Sequence, residues 1–84
     1  MKKNSQNIYT LLLKAKNNTE LKEILEVLLG KRQLKLLEQR YMIISLLSQN
    51  KSYLEILRET KTSSATIAKI SSSINEAFIN KYVK

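Results

Sequence analysis

The stretch that decides the fold is Lys51-Ser-Tyr-Leu-Glu-Ile-Leu-Arg-Glu-Thr-Lys-Thr-Ser-Ser-Ala-Thr-Ile-Ala-Lys-Ile70. It contains two signals for the start of a helix. Ser52 and Glu55 have the spacing of a capping box, in which the serine side chain accepts a hydrogen bond from the amide three residues on and the glutamate accepts one from the serine amide. Ser63 is a favourable N-cap for a second helix. We therefore predict two short helices joined by a tight turn at 61–63.

The second of these helices, from Ser64 onward, has two unlike faces. Ile67, Ile70 and Ile74 form one narrow apolar stripe. The other residues of its first turns are small or basic: Ser64, Ala65, Thr66, Ala68 and Lys69. A recognition helix presents short hydrogen-bonding and methyl-bearing side chains, with a cation, to base edges and phosphates in the major groove. We therefore predict a DNA-binding helix-turn-helix at 51–74. The alternative is an ordinary helical hairpin with a solvated serine and threonine face.

Helical spacing recurs along the rest of the chain. Proline is absent and Gly30 is the single glycine, and strands joined by tight turns are hard to build without these residues. We expect the third helix from Lys31 to Ser48, and Gly30 can end the helix before it in a left-handed conformation. The apolar positions of the first helix are Ile8, Leu11, Leu12 and Ala15, and those of the second are Leu21, Ile24, Leu25 and Leu28. The pattern predicts an all-α fold.

The segment Tyr41–Leu47 is apolar almost all round. A helix that is apolar on every side must be covered on every side. A chain of 84 residues buries only a limited share of its apolar surface alone, yet 43% of its residues are hydrophobic. We therefore expect a central helix covered by its own neighbours and by a second copy of the chain. Tyr9 and Tyr41 lie on apolar faces, so we place them in the core or at the dimer interface.

The charge balance favours a polyanionic partner. Fifteen lysines and arginines stand against seven aspartates and glutamates, which gives a net charge of +8. Such a balance is typical of proteins that bind nucleic acids. It fits a merely soluble basic surface equally well, so charge alone does not decide between the two.

Composition argues against several other classes of protein. Without cysteine or histidine, a disulfide framework, a thiol nucleophile and the usual zinc ligand sets are absent, so we expect no metal site and no cofactor. The serines at 71–73 have no histidine to act as their base, so we expect no enzyme activity. Apolar runs such as Met42–Ile44 are too short to cross a bilayer. Met1-Lys2-Lys3 is not followed by the apolar segment of a secretory signal, so we expect a cytoplasmic protein.

Three segments together resemble the Trp repressor family: Leu37-Glu-Gln-Arg-Tyr41, Lys51-Ser-Tyr-Leu-Glu-Ile56 and Ser64-Ala-Thr-Ile-Ala-Lys69. The most specific part is the Ala-Thr-Ile triplet at 65–67, set a fixed distance after the Ser52–Glu55 pair. The chain looks most similar to members of unassigned ligand, which also carry a Gln-Arg pair in the central helix. The resemblance spans roughly Ile8 to Ile74, which is most of the chain.

This resemblance implies a fold and a set of DNA contacts. The family fold is a six-helix, intertwined homodimer whose two recognition helices enter successive major grooves. By position, seven residues match family residues that lie on or near DNA: Tyr53, Leu54, Ser64, Ala65, Thr66, Ala68 and Lys69. For Tyr53, packing and a phosphate contact are equally consistent with its place just after the capping serine.

The chain departs from the family pattern in its turn. Lys61 stands where a helix-turn-helix usually holds glycine, because that residue needs a positive φ angle. Leu57 occupies a position often kept small where the two helices cross, so we expect a wider crossing.

A second departure concerns the ligand. In tryptophan-sensing members two arginines sandwich the indole ring, and a glycine after the second keeps the pocket open. The resemblance puts Gln39, Lys69 and Ile70 at these positions, and neither glutamine nor lysine stacks as arginine does. A shift of register would let Arg40 replace one arginine, but it would not clear the isoleucine. We therefore expect no binding of tryptophan.

The leading hypothesis is a transcriptional regulator that binds a pseudo-palindromic operator as a homodimer. We expect a single helical DNA-binding domain over 1–84, with dimerisation helices at 1–50, the helix-turn-helix at 51–74 and a C-terminal helix or tail at 75–84. The alternative is a small protein-interaction module with a basic surface. A basic amphipathic membrane binder is weaker, because the first helix carries few cations and no tryptophan anchor.

Overall fold

A computed structural model describes residues 7–84 of the chain. Within this range the protein contains six α-helices and no β-strand, which confirms the predicted all-α fold. The helices are α1 (Ile8–Leu13), α2 (Asn18–Leu29), α3 (Lys31–Ser48), α4 (Tyr53–Thr60), α5 (Ser64–Ser73) and α6 (Glu76–Phe78), and α6 continues as a π-helical turn over Ile79–Val83. None of the helices described here is long and apolar enough to cross a membrane. The start of the chain, on which the expectation about a secretory signal rests, lies outside the described residues.

Short polar side chains define where the helices begin. The residues before α1, α2, α4, α5 and α6 are extended, and the side chain of each accepts a hydrogen bond from the amide three residues on. These N-caps are Asn7, Asn17, Ser52, Ser63 and Asn75. Each such bond satisfies one of the amide groups that a helix start leaves unpaired. Asparagine and serine thus mark the element boundaries in a chain that has no proline.

The observed bounds agree closely with the pattern of the sequence, with two exceptions. The placement of Ile74 on the second helix of the motif was wrong, because α5 ends at Ser73 and Ile74 is extended. α3 covers the predicted range, and α4 extends one residue beyond the predicted 53–59. The inclusion of Ala15 in the first helix was wrong, because α1 ends at Leu13. The Ala15 amide donates to the carbonyl of Leu12 only three residues before it, so the last turn tightens and the helix stops.

Gly30 separates α2 from α3 through an unusual backbone conformation. Its φ is 87° and its ψ is 156°, so the predicted left-handed helical conformation was wrong: φ is positive, but ψ is extended. This region is open essentially to glycine alone. A Cβ at Gly30 would meet nothing within 4 Å, so the requirement for glycine comes from the backbone and not from space.

The chain divides into two compact units between Lys35 and Leu36, and each is described by itself. In the N-terminal unit α1 packs against α2, and neither helix has a fully buried residue. Leu11 and four residues of α2 line an open, largely apolar groove of about 340 Å³. The α2 residues are Glu23, Ile24, Val27 and Leu28. This unit therefore leaves much of its apolar surface uncovered in the single chain.

The C-terminal unit has a compact core made mainly of isoleucine. Five residues form it: Ile43 and Leu46 of α3, Ile56 of α4, and Ile67 and Ile70 of α5. Ile44, Leu47 and Leu57 pack against its edge. Full burial of one such side chain is worth about 1.5–3 kcal/mol, so this cluster holds the three helices together. It confirms the predicted inward orientation of Ile56, Ile67 and Ile70.

The predicted all-round burial of Tyr41–Leu47 is only half met within one chain. Ile43 and Leu46 are buried, while Tyr41 and Met42 are 54% and 53% exposed. Tyr9 is exposed as well, so neither tyrosine lies in a core of the single chain. Their place at a dimer interface stays a prediction.

Two turns without glycine connect the helices of the C-terminal unit. At the end of α3 the amide of Lys51 donates to Leu46 O at 3.2 Å and the amide of Asn50 to Leu47 O at 3.0 Å, which is the pattern of a Schellman motif. Asn50 accordingly has a φ of 62°. After α4, Lys61 has φ 56° and ψ 37°. The left-handed conformation predicted for Lys61 is therefore confirmed.

Replacement of Lys61 by glycine should stabilise the protein. The left-handed conformation costs a residue with a Cβ about 1–2 kcal/mol, and the greater freedom of glycine in the unfolded chain offsets part of the gain. We expect Lys61→Gly to raise the free energy of unfolding by about 0.5–1 kcal/mol, measured by urea denaturation at one fixed protein concentration. Lys61→Ala is the control, because it removes the same charge and keeps the strain. Equal stabilisation by both variants would contradict this account.

Candidate nucleic-acid interface

The pair α4 and α5 forms a helix-turn-helix whose orientation is set by the isoleucine core. α4 packs directly against α5, and α5 inserts Ile67 and Ile70 into the core. Because these side chains lie on one stripe of a ten-residue helix, the remaining positions of its first two turns must point away from the core. The inner face therefore determines which residues form the outer face.

All seven residues predicted at the DNA interface are exposed in the structure. Five of them lie on the outer side of the first two turns of α5: Ser64, Ala65, Thr66, Ala68 and Lys69. Tyr53 and Leu54 lie in the first turn of α4 and are 42% and 56% exposed. The structure thus brings the α5 positions onto one accessible face and keeps the α4 pair accessible beside the capping serine.

The N-terminus of α5 is built to stay electropositive. Ser63 Oγ accepts the Thr66 amide at 3.2 Å and lies 2.9 Å from Thr66 Oγ1. No acidic side chain lies in the first turn of α5, so nothing there neutralises the partial positive charge of the helix end. The Thr66 hydroxyl is shared with the cap, which leaves its methyl group as the part of the side chain free for an outside contact.

The start of α4 is fixed by a capping box. The Ser52 amide donates to Glu55 Oε1 at 2.9 Å, and the Glu55 amide donates to Ser52 Oγ at 3.2 Å, so the predicted capping box is confirmed. The hydrogen bond from the Ser52 amide, reinforced by the serine side chain, lowers the pKa of the Glu55 carboxyl below its usual value. Tyr53 and Leu54 therefore lie in a first turn whose backbone is fixed by the two hydrogen bonds of the capping box.

Exposed cations outnumber acids on the helix-turn-helix. Four basic side chains are exposed: Lys51, Arg58, Lys61 and Lys69. The acids of the same segment are Glu55 and Glu59, and Glu55 is engaged by its own helix start. A phosphate backbone approaching this surface would meet an excess of positive charge.

Hydrogen bonds from α3 to the ends of α4 and α5 were missed by the sequence reasoning. Gln39 Nε2 donates to the carbonyl of Thr60 at 2.9 Å in a partly buried setting. Arg40 Nη2 lies 3.4 Å from Ser73 Oγ. A signal for the first was present, because Gln39 precedes the buried Ile43 and Leu46 by four and seven residues and therefore shares their face of α3. A polar residue on an apolar stripe marks a specific buried partner.

One comparison with known proteins finds a match. The model of the family described as Trp repressor protein matches residues 3–81. The match spans nearly all of the 84 residues, including both helices of the candidate interface. No curated protein and no solved structure matches the chain.

Proposed function

The chain belongs to the Trp repressor family, and on this basis we propose that it is a sequence-specific transcriptional regulator that binds DNA as a homodimer without tryptophan as corepressor. The family consists of regulators that bind DNA through a helix-turn-helix, and α4 and α5 form such a motif here. The observation that carries the proposal is the outer face of α5. A face of small, polar and basic residues on a helix anchored by two buried isoleucines suits the major groove.

The exposed residues divide into two roles in this proposal. Lys69 supplies a phosphate contact, and Ser64, Ala65, Thr66 and Ala68 face base edges, where short side chains allow close approach. Tyr53 and Leu54, at the start of α4, lie near the sugar-phosphate backbone. The helix-turn-helix at 51–74 is the reading element, residues 1–50 form the dimerisation helices, and 75–84 completes the same domain.

Substitutions at Lys69 and Thr66 should weaken DNA binding in different ways. Lys69→Ala should weaken binding to every sequence and reduce the slope of log affinity against log salt by about one, because one phosphate contact is lost. Thr66→Ala should cost roughly 1–3 kcal/mol at the preferred site only. The preferred site is first obtained by selection from random DNA at a stated salt concentration, and both variants are then titrated against it and against a scrambled sequence.

Thr66→Ser is the matched control for the second variant. It keeps the hydroxyl next to Ser63 and removes only the methyl group. A loss in both Thr66 variants assigns the readout to the methyl, and a loss in Thr66→Ala alone assigns it to the hydroxyl. If Lys69→Ala and Thr66→Ala both bind the site with the affinity of the parent protein, α5 is not the recognition helix.

Uncovered apolar side chains support the proposed homodimer. On α3, Tyr41 and Met42 are more than half exposed, and on α2 Val27 is 82% exposed. Single exposed apolar residues are common in soluble proteins, but so many on so small a chain favour a partner that covers them. A second copy would also supply a second recognition helix, which is what reading two half-sites about one helical turn apart requires.

The dimer is tested by light scattering. We expect a particle of twice the 9.7 kDa chain mass at micromolar concentration, and a shift toward monomer in Met42→Lys, which puts a charge at the covered surface. Ser72→Lys adds the same charge at an exposed polar position of α5 and should leave the dimer intact. A well-folded monomer of the parent protein at micromolar concentration would refute the proposal.

Three side chains support the absence of a tryptophan corepressor. Ile70 is only 2% exposed and belongs to the core, so its side chain occupies space that a glycine would leave to a ligand. Gln39 already donates its amide to Thr60. Lys69 is exposed and lacks the flat guanidinium that stacks on an aromatic ring.

Calorimetric titration with L-tryptophan tests this point. We expect no saturable heat at micromolar ligand, and equal affinity for the selected DNA site with and without tryptophan. The unrelated amino acid L-leucine serves as the blank. Saturable binding, or DNA affinity that rises with tryptophan, would show that Ile70 does not close the site.

The alternative function is a small protein-interaction module with a basic surface. DNA binding with a steep salt dependence and a preferred sequence favours the regulator, and binding that ignores DNA sequence favours the module. We also propose that the protein acts in the cytoplasm and has no enzymatic activity, as fits a family of DNA-binding regulators.

A further inference from the structure

We propose that Gln39 is a positioning residue that fixes the turn of the helix-turn-helix on α3, so that the chain sets its own DNA-reading geometry without a bound effector. This inference rests on the proposed DNA-binding function and deepens it. The side chain of Gln39 donates a hydrogen bond to the backbone at the turn of the helix-turn-helix.

The acceptor of Gln39 is a backbone group at a critical place. The carbonyl of Thr60 belongs to the last turn of α4, where carbonyls have no partner within the helix. Gln39 Nε2 donates to it at 2.9 Å, and Thr62 Oγ1 donates to the same oxygen at 3.3 Å. Thr60 is itself buried, with its hydroxyl donating to Ile56 O at 2.7 Å. Three side-chain hydrogen bonds therefore converge on the end of α4.

The position of this carbonyl controls where α5 begins. Thr60 is followed by Lys61 in the left-handed conformation and then by Ser63, the N-cap of α5. With so few residues between, a displaced Thr60 carbonyl displaces the cap and the outer face of α5. The neighbouring Arg40 approaches Ser73 at the other end of α5, at 3.4 Å. Adjacent residues of α3 thus reach the end of each helix of the motif.

The isoleucine core cannot supply this restraint by itself. Apolar contacts are not directional, so Ile56, Ile67 and Ile70 bring α4 and α5 together without specifying the path of the turn between them. A hydrogen bond of 2.9 Å has a narrow angular range and does specify it. The core holds α4 and α5 together, and the hydrogen bond from Gln39 fixes the backbone path of the turn between them.

The test compares variants of Gln39 that differ in hydrogen bonding. Gln39→Glu keeps the shape and replaces the donor by an acceptor that faces the Thr60 carbonyl. Gln39→Met keeps the length, lacks any donor and adds no charge, so it serves if the glutamate variant folds poorly. Gln39→Lys restores a donor. The matched control is Gln49→Glu, which makes the same chemical change at an exposed glutamine whose amide reaches only Ser45, at 3.4 Å.

The measured quantity is the ratio of affinities for the selected DNA site and for a scrambled sequence, at fixed salt and without added small molecules. We expect this ratio to fall about tenfold in Gln39→Glu and Gln39→Met, because a tenfold change corresponds to the loss of about one hydrogen bond between uncharged groups. It should recover in Gln39→Lys and stay unchanged in Gln49→Glu. Circular dichroism should show the same helix content in all variants, which a merely structural role would not predict.

The outcomes separate this inference from the proposed function. If the parent selects a DNA site and the Gln39 variants keep its affinity ratio, the positioning role is overturned and the regulator stands. The same holds if all affinities fall only in proportion to lost helix content. If the parent selects no DNA sequence at all, the proposed function fails and the positioning role fails with it.

Discussion

The contact on which the candidate interface depends is the packing of α5 on α3 and α4 through two isoleucines. Ile67 and Ile70 are fully buried against Ile43 and Ile56. A β-branched side chain in a helix has one strongly preferred rotamer, so such a contact fixes the rotation of a helix about its own axis. α5 has no second apolar face, so these isoleucines decide which side of α5 faces the core, while the path of the turn before it is left to the hydrogen bonds at Thr60. Every outward position from Ser64 to Lys69 follows from this orientation of α5.

The turns that connect α3, α4 and α5 contain neither proline nor glycine. Asn50 and Lys61 adopt positive φ angles, although only the former belongs to a residue type that favours them. Ser52 and Ser63 then cap the helices that follow. At both junctions, α3 to α4 and α4 to α5, a residue with a positive φ angle ends one helix and a serine N-cap begins the next. Such junctions leave little freedom in the turn, so the positioning role proposed for Gln39 requires only that its hydrogen bond act together with that of Thr62 on the Thr60 carbonyl.

Much of this architecture could be predicted from the sequence, because the relevant signals are local. The capping box at Ser52, the cap at Ser63 and the inward pair Ile67 and Ile70 depend on spacings of three or four residues, and the structure contains all of them. The bond from Gln39 to Thr60 spans 21 residues, and no periodicity encodes a partner so distant. The end of α1 was misjudged for a related reason, since the apolar spacing continued to Ala15 while the backbone had already turned. Patterns of side chains locate faces well and locate helix ends and tertiary polar contacts poorly.

Under the proposed function, the burial of Ile70 links the stability of the protein to its regulation. One side chain cannot both fill the core and leave a pocket beside α5. Removing a buried aliphatic side chain of this size costs about 2–5 kcal/mol, a large fraction of the 5–15 kcal/mol that stabilises a typical domain. A chain of 84 residues has a small core from which to recover such a loss. Opening a ligand site at this position would therefore require compensation elsewhere in the core.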